Sequence, residues 1–397
     1  MSSEAIIAAE QRHTAGLYPK RPVAIVRGEG ARLFDAEGRA FIDCVGGQGA
    51  ANLGHGHPAV VAAVQEQAAR LISCPEIFHN DQRAAYLAEL AAALPFPARL
   101  FLCNSGAEAV EAGLKFARLL SGRTGVVATM RGFHGRTMGA LSATWEKKYR
   151  EPFAPLVPGF QHVPFGDAEA LAAAVDHTTA AVLVEPVQGE GGVRPAPAGY
   201  LAAARRICDE RGALLLVDEV QTGFGRTGRL FAVEHSGLVP DILILAKSIA
   251  AGLPMGAVAV HERHGPLPGG AHGSTFGGSP LLCAAARAAL RAYQEEDLPR
   301  QAAEKGAWLL EQLRAPDLPA VREVRGLGLL VGLELKSRVQ PFLGALLDRG
   351  VLALPAGPNV LRLLPPLVIS YEDLEAVVRA VRDVLREGRG ARQDEQD

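Results

Sequence analysis

From about residue 98 the chain alternates short apolar runs with longer stretches in which apolar residues recur every three or four positions. The runs ARLFLCN, GVVATM, AAVLVEP, ALLLVDEV and DILILAK lack a polar alternate face. That is how strands read when helices cover both faces of a parallel sheet. Between them, AEAVEAGLKFARLL and YLAAARRICDERG carry helical spacing. The alternation predicts an α/β unit with a large, mostly parallel sheet. The alanine-rich PLLCAAARAALRAYQEE reads as a helix joining this unit to the next.

After about residue 297 the rhythm changes to helix (QAAEKGAWLLEQL), strands (VREVRGLGLLVGLELK), helix (PFLGALLDRG), short strands (VLALP, NVLRLLP) and a final helix. This predicts a smaller α+β unit. Ser370 and Asp373 form a capping box, Leu374, Val377, Val378, Val381 and Leu385 share one helix face, and Gly388 supplies the stop. The expected division is an N-terminal arm over 1–55 that contributes to the small domain, a large domain over 56–296, the small domain over 297–388 and a frayed tail over 389–397.

Composition narrows the possible partners. With 397 residues, 48% hydrophobic and 21% charged, the chain can bury a large core. A formal net charge of −2 exerts no global pull on nucleic acid or anionic membrane, so small molecules are the expected ligands. Cys44, Cys74, Cys103, Cys208 and Cys283 are scattered, with no C-x-x-C pair, which points to reduced thiols and no metal site. MSSEAIIAAEQRHTAG lacks a basic leader region, and no apolar run approaches membrane-spanning length, so the expected location is cytoplasmic.

Three chemistries compete for LLLVDEVQTGFGRTG at 214–228. A P-loop NTPase requires a G-x-x-x-x-G-K-[ST] loop, and Gly-Lys occurs nowhere. In a dinucleotide fold the first glycine closes the strand directly and the third opens a helix, but here Asp218 to Thr222 intervene and RLFAVEHSG is a poor crossover helix. The third reading places Asp218 against the ring nitrogen of a bound cofactor. It gains support from PDILILAKSIAAGLPMG, which delivers Lys247 to a strand's carboxyl end before a glycine-rich loop. Desolvation there lowers an amine's pKa and favours attack on a carbonyl. In NSGAEA a strand runs into a helix through Ser105, Gly106 and Ala107, a place for a phosphate. HGSTFGGSP offers Ser274 and Thr275. An amine, an anion and phosphate donors are what pyridoxal phosphate needs. Taken singly, each also reads as a surface lysine, a strand-end acid or an N-cap.

The chain resembles the class III aminotransferases of fold type I, in particular the acetylornithine branch, which includes enzymes acting on lysine precursors held by a small amino-group carrier protein. LGHGHP, NSGAEA, FHGRTMGALSAT, EPVQGEGG, LLLVDEVQTGFGRTG, ILAKSIAAGLPMGA, STFGG and RLLPPL carry the resemblance nearly end to end. It implies that Lys247 binds the cofactor's aldehyde and shuttles a proton, and that Asp218 meets the pyridinium. It further implies Gln221 near the phenolic oxygen, and Phe133 and Val220 on opposite ring faces. Ser105, Gly106 and Ala107 would hold the phosphate with Thr275 of a neighbouring subunit, so a homodimer is implied. Arg136 would take the α-carboxylate of the blocked substrate and Arg362 that of glutamate. Glu190 would gate Arg362, Ser274 would line the substrate site and Glu185 would stand behind, while His134 reads as structural. The implied reaction passes an amino group between glutamate and 2-oxoglutarate and the semialdehyde of an N-blocked amino acid. The carrier-linked aminoadipate semialdehyde is favoured over N-acetylglutamate semialdehyde, because QRHTAGLYPK, VRGEGARLFDAEG and GALSATWEKKYREPFAPLVPG look especially like the carrier-dependent enzymes. Lys147, Lys148 and Arg150, joined by Lys20 and Arg21, would face an acidic carrier, against the plainer reading of a solvated charged face. Gln48 stands where this branch has an aliphatic residue. A glutamate semialdehyde aminomutase and a non-catalytic binding relative are the alternatives.

Overall fold

In the computed structural model, which describes residues 1–314 and 318–387, the apolar runs form one seven-stranded sheet. Its strands in chain order are β1 (Ala98–Cys103), β2 (Gly125–Thr129), β3 (Phe160–Val163), β4 (Thr179–Val184), β5 (Leu214–Asp218), β6 (Ile242–Leu245) and β7 (Gly256–His261). They lie in the order β1-β7-β6-β5-β4-β2-β3. β4, β5 and β6 are buried along their whole length apart from Leu214, as the absence of a polar face requires.

Two of these strands escaped the hydrophobic pattern. β3 is a short edge strand, FQHV. β7 runs antiparallel to both β6 and β1, so the sheet is mixed. Only Ala246 to Met255 separate β6 from β7, too short a connection for a parallel crossover.

The C-terminal part builds a second, antiparallel sheet from β8 (Val321–Leu327), β9 (Leu330–Leu335), β10 (Leu354–Pro355) and β11 (Val360–Leu363), in the order β8-β9-β11-β10. The N-terminal strands Ile25–Glu29, Arg32–Asp35 and Ala40–Asp43 form a separate sheet, which the C-terminal part completes by pairing Val351–Leu352 in parallel with Ala40–Asp43. The last helix spans Tyr371–Glu387, and its Asp373 N–H donates to Ser370 Oγ at 3.0 Å. The five apolar residues assigned to its inner face are all buried. The expected stop at Gly388 and the tail over 389–397 lie outside the described residues. Cys44, Cys103, Cys208 and Cys283 are buried free thiols. Among the described residues no helix is long and apolar enough to cross a membrane.

Candidate active site

The carboxyl ends of β1, β2, β4, β5 and β6 open on one edge of the sheet, and each is followed by a residue singled out above. β5 ends at Asp218, which is buried and fixed from behind. Its Oδ1 accepts from the Val220 N–H at 3.0 Å, and its Oδ2 lies 2.7 Å from Nδ1 of fully buried His134. Burial alone would lower the His134 pKa, but the hydrogen bond and charge of Asp218 outweigh it and raise the pKa. Glu185, directly after β4, is pushed up to about 7 by burial. Its two oxygens accept from the N–H groups of Phe133 (3.0 Å) and Gly189 (3.3 Å), tying the Phe133 and Glu190 loops together.

Lys247 follows β6 in a left-handed backbone conformation, φ +50°. A non-glycine residue there stores strain of about 1–3 kcal/mol, which surrounding contacts must hold. The hold is visible next door: Ser248 Oγ donates to the Gly49 carbonyl at 2.8 Å, and Tyr293 Oη to the Ser248 carbonyl at 2.9 Å. Burial lowers the Lys247 pKa, against the opposing pull of Glu190 and Asp218. Among the described residues its amine has no hydrogen-bond partner.

β1 ends just before the helix α1 (Gly106–Ser121). The Ser105 hydroxyl caps the helix by accepting from the Glu108 N–H at 3.1 Å, while the first helical N–H groups have no intrahelical acceptor. A Cβ at Gly106 would lie 2.9 Å from Val220 Cγ1, so only glycine lets the helix start sit this close to the end of β5. Ser274 Oγ accepts from Asn104 Nδ2 at 3.0 Å, which brings its loop beside the same helix start. Thr275 is exposed and makes no side-chain hydrogen bond among the described residues.

Glu190 and Arg362, far apart in sequence, meet at 2.5 Å. Arg362 is 2% exposed in its side chain and also reaches Gln221 Oε1 at 3.3 Å. Burial would raise the Glu190 pKa, but the charge and hydrogen bond of Arg362 leave it lowered. Arg136 is exposed and makes no ion pair among the described residues; its guanidinium lies 3.7 Å over the Tyr149 ring and 5.7 Å from the Phe133 ring centre. Gln48, at φ +58°, sits on the segment whose Gly49 packs toward Gln221. Lys147 and Lys148 are exposed and make no ion pair among the described residues, although the Lys148 ammonium lies 5.0 Å from the Tyr149 ring centre. Lys20 is bonded to Glu10, and Arg21 donates to the Ala353 carbonyl, so neither is free to extend that basic cluster.

An unpartnered amine, a carboxylate oriented from behind and a helix start that one Cβ would block fit a group carrying an aldehyde, a ring nitrogen and a phosphate. The comparisons agree. The model of the family "Aminotransferase class-III" matches residues 15–385. The chain belongs to the class-III aminotransferases. A [LysW]-aminoadipate semialdehyde transaminase of Deinococcus radiodurans is 53% identical over 96% of this chain and 90% of its own length. An acetylornithine aminotransferase of Methanopyrus kandleri is 49% identical over 93% and 96%. Among solved structures, the ornithine aminotransferase of Toxoplasma gondii superposes with TM-score 0.93 at 36% identity, covering 97% of this chain and 94% of that one. This class-III aminotransferase is a pyridoxal phosphate enzyme of fold type I.

One contact escaped the sequence reading. His134 stood as a structural residue, yet it touches Asp218 directly. Its place next to Phe133 was the available signal, but 84 residues separate it from its partner, and no local pattern links them.

Proposed function

We propose that the enzyme moves an amino group between glutamate and the semialdehyde of an N-blocked amino acid, with the carrier-linked aminoadipate semialdehyde as the physiological acceptor. The observation that carries this reading is the ion pair between buried Arg362 and half-buried Glu190 beside Lys247. A pocket that must accept glutamate's α-carboxylate in one half-reaction and an ω-ammonium group in the other needs a guanidinium that can be engaged or released. An aminomutase, which never takes an external dicarboxylate, has no such need. The carrier is supported by the Deinococcus relative and by exposed Lys147 and Lys148 beside the Arg136–Tyr149 stack, with no carboxylate neutralising them among the described residues. Free acetylornithine is the second reading, supported by the Methanopyrus relative.

The residues divide the work as follows. Ser105, Gly106 and Ala107 bind the phosphate, with Thr275 of a second copy. That dimer is supported by the exposure of Thr275 and by apolar side chains left in solvent, Phe276 at 62% and Ile77 at 83%. Asp218, held by His134, would keep the ring nitrogen protonated, while Phe133 and Val220 would confine the ring and Gln221 would hold its phenolic oxygen. Pyridoxal phosphate, when bound, supplies an electron sink for the pair left on the substrate's Cα. Lys247 carries the proton from Cα, a task suited to an amine whose pKa burial has lowered. Arg136 forks onto the carboxylate of the blocked substrate, Ser274 lines the pocket, and Arg362 takes glutamate once Glu190 lets go.

Turnover on acetylornithine is to be compared with turnover on carrier-bound lysine, both with 2-oxoglutarate. The reading expects the carrier-bound substrate to have the higher kcat/KM, and to lose more of it as salt is raised. A large preference for free acetylornithine overturns the choice of substrate.

A further inference from the structure

The loop that carries Glu190 is fastened to the C-terminal sheet chiefly across one row of residues, with Arg194 adding a bond to Glu334 in another row. Arg325 on β8, Gly332 on β9 and Arg362 on β11 are directly opposite one another across three antiparallel strands. Paired residues of this kind point to the same face of a sheet, so two arginines flank a glycine. Val193 fills the gap. A Cβ on Gly332 would lie 2.7 Å from Val193 Cβ, so only glycine admits it. Val193 is fully buried and held at φ +50°, a strained conformation for a β-branched residue.

The two arginines grip the loop on either side of Val193. Arg362 takes the Glu190 carboxylate. Arg325 takes the main chain: its Nε donates to the carbonyls of Gly192 and Val193, both at 3.0 Å, and its Nη2 to Gly192 at 2.6 Å. Its Nη1 is fixed by Glu323 at 2.6 Å and Glu334 at 2.7 Å, and Glu334 also accepts from Arg194, the next residue along the loop, at 3.0 Å. Arg325 is buried, and its planar fork supplies every one of these contacts, which a lysine ammonium cannot reproduce.

We infer that Arg325 and Gly332 form a saddle that sets where Glu190 sits relative to Arg362, which makes Arg325 a positioning residue for the choice between glutamate and the ω-amine substrate. The inference rests on the reading of Glu190 and Arg362 as a gate. A loop that slips on the saddle carries Glu190 away from Arg362. The guanidinium is then free more of the time, so dicarboxylates bind better and an incoming ammonium group meets an unmatched positive charge.

The test uses the pyridoxal phosphate-loaded enzyme and follows each half-reaction separately by absorbance in single turnovers. The amino donors are glutamate and whichever ω-amine donor turns over faster in the comparison above. Arg325→Lys loosens the grip without removing the charge, Gly332→Ala pushes Val193 off its seat, and Glu190→Gln reports on the gate itself. In all three the ratio of kcat/KM for glutamate to that for the ω-amine donor is expected to rise at least about tenfold, the scale of a displacement below 1 Å in a binding pocket. The inhibition constant of glutarate, which binds as a dicarboxylate but cannot react, is expected to fall in parallel. A merely structural role would lower both half-reactions by the same factor and leave glutarate unaffected. That result in both Arg325→Lys and Gly332→Ala, alongside a shifted ratio in Glu190→Gln, overturns the saddle and spares the gate. An unshifted ratio in Glu190→Gln overturns the gate, and the saddle with it.

Discussion

Replacing Gly106 by alanine tests the proposed phosphate cradle with one methyl group. The new carbon would lie 2.9 Å and 3.3 Å from the two γ-carbons of Val220 and 3.5 Å from Ala246 Cβ. Carbon atoms are at ease at about 3.5–4.0 Å, so the start of α1 has to retreat by roughly 0.5–1 Å. Val220 yields little, because its own N–H is spent on Asp218. Overpacking of this kind costs about 1–3 kcal/mol, partly offset by the better helix propensity of alanine, about 1 kcal/mol at most. Binding suffers more than folding does. A helix start displaced this far loses one or two charge-assisted hydrogen bonds to an anion, each worth about 1.5–3 kcal/mol, which corresponds to a loss of affinity of at least about tenfold. The assay is titration of the apoenzyme with pyridoxal phosphate, with inorganic phosphate as competitor, alongside thermal melting. Gly113→Ala is the matched control on the same helix, since its Cβ would meet the side-chain atoms Ile244 Cδ1 at 3.0 Å, Ile244 Cγ1 at 3.4 Å and Leu216 Cδ2 at 3.7 Å, away from the helix start. The control is expected to change melting and leave affinity intact. Unchanged affinity for both anions in Gly106→Ala would refute the placement of the phosphate at this helix.

Asp218→Asn removes the charge that His134 holds in place at 2.7 Å. Turnover is expected to fall by at least about 100-fold, roughly 2.7 kcal/mol of barrier, while borohydride still fixes the cofactor on Lys247 in peptide mapping. Activity within tenfold of the parent enzyme would exclude the proposed role of Asp218. His162 predicts an acid sensitivity: burial holds its pKa down to about 4, below the ordinary 6.5, with the Ala143 carbonyl opposing. A depressed histidine stabilises the fold fully above pH 6.5, and that contribution is lost as pH falls toward 4. The gap bounds the effect at about 3 kcal/mol, and partial exposure reduces it to about 2. His162→Gln should therefore flatten the decline in Tm between pH 7 and 4.5; an unchanged slope would show that the loss arises elsewhere.

Helices and strands with strong internal pattern were legible in the sequence. LLLVD and ILIL read as fully buried strands because no polar residue interrupts them, and Ser370 with Asp373 marked a helix start that forms as expected. β7 was missed because GAVAVH carries no turn signal of its own and only the shortness of the preceding connection dictates its direction. At the site, Lys247 and Asp218 could be singled out because each ends an apolar strand. Lys20 and Arg21 looked like companions of Lys147 and Lys148, but charge alone does not reveal that Glu10 and a carbonyl already engage them.

The sequence by itself determined the layered α/β plan, the helix and strand residues with strong periodicity, and the chemical types gathered at the carboxyl ends of the strands. Those properties follow from hydrophobic spacing and side-chain chemistry within a window of some twenty residues. Only the tertiary structure decided that His134 backs Asp218 across 84 residues and that Arg325 clamps Gly192 across 133. Such contacts depend on which elements the whole core brings together, and hydrogen-bond geometry over a few ångströms leaves no periodic trace along the chain.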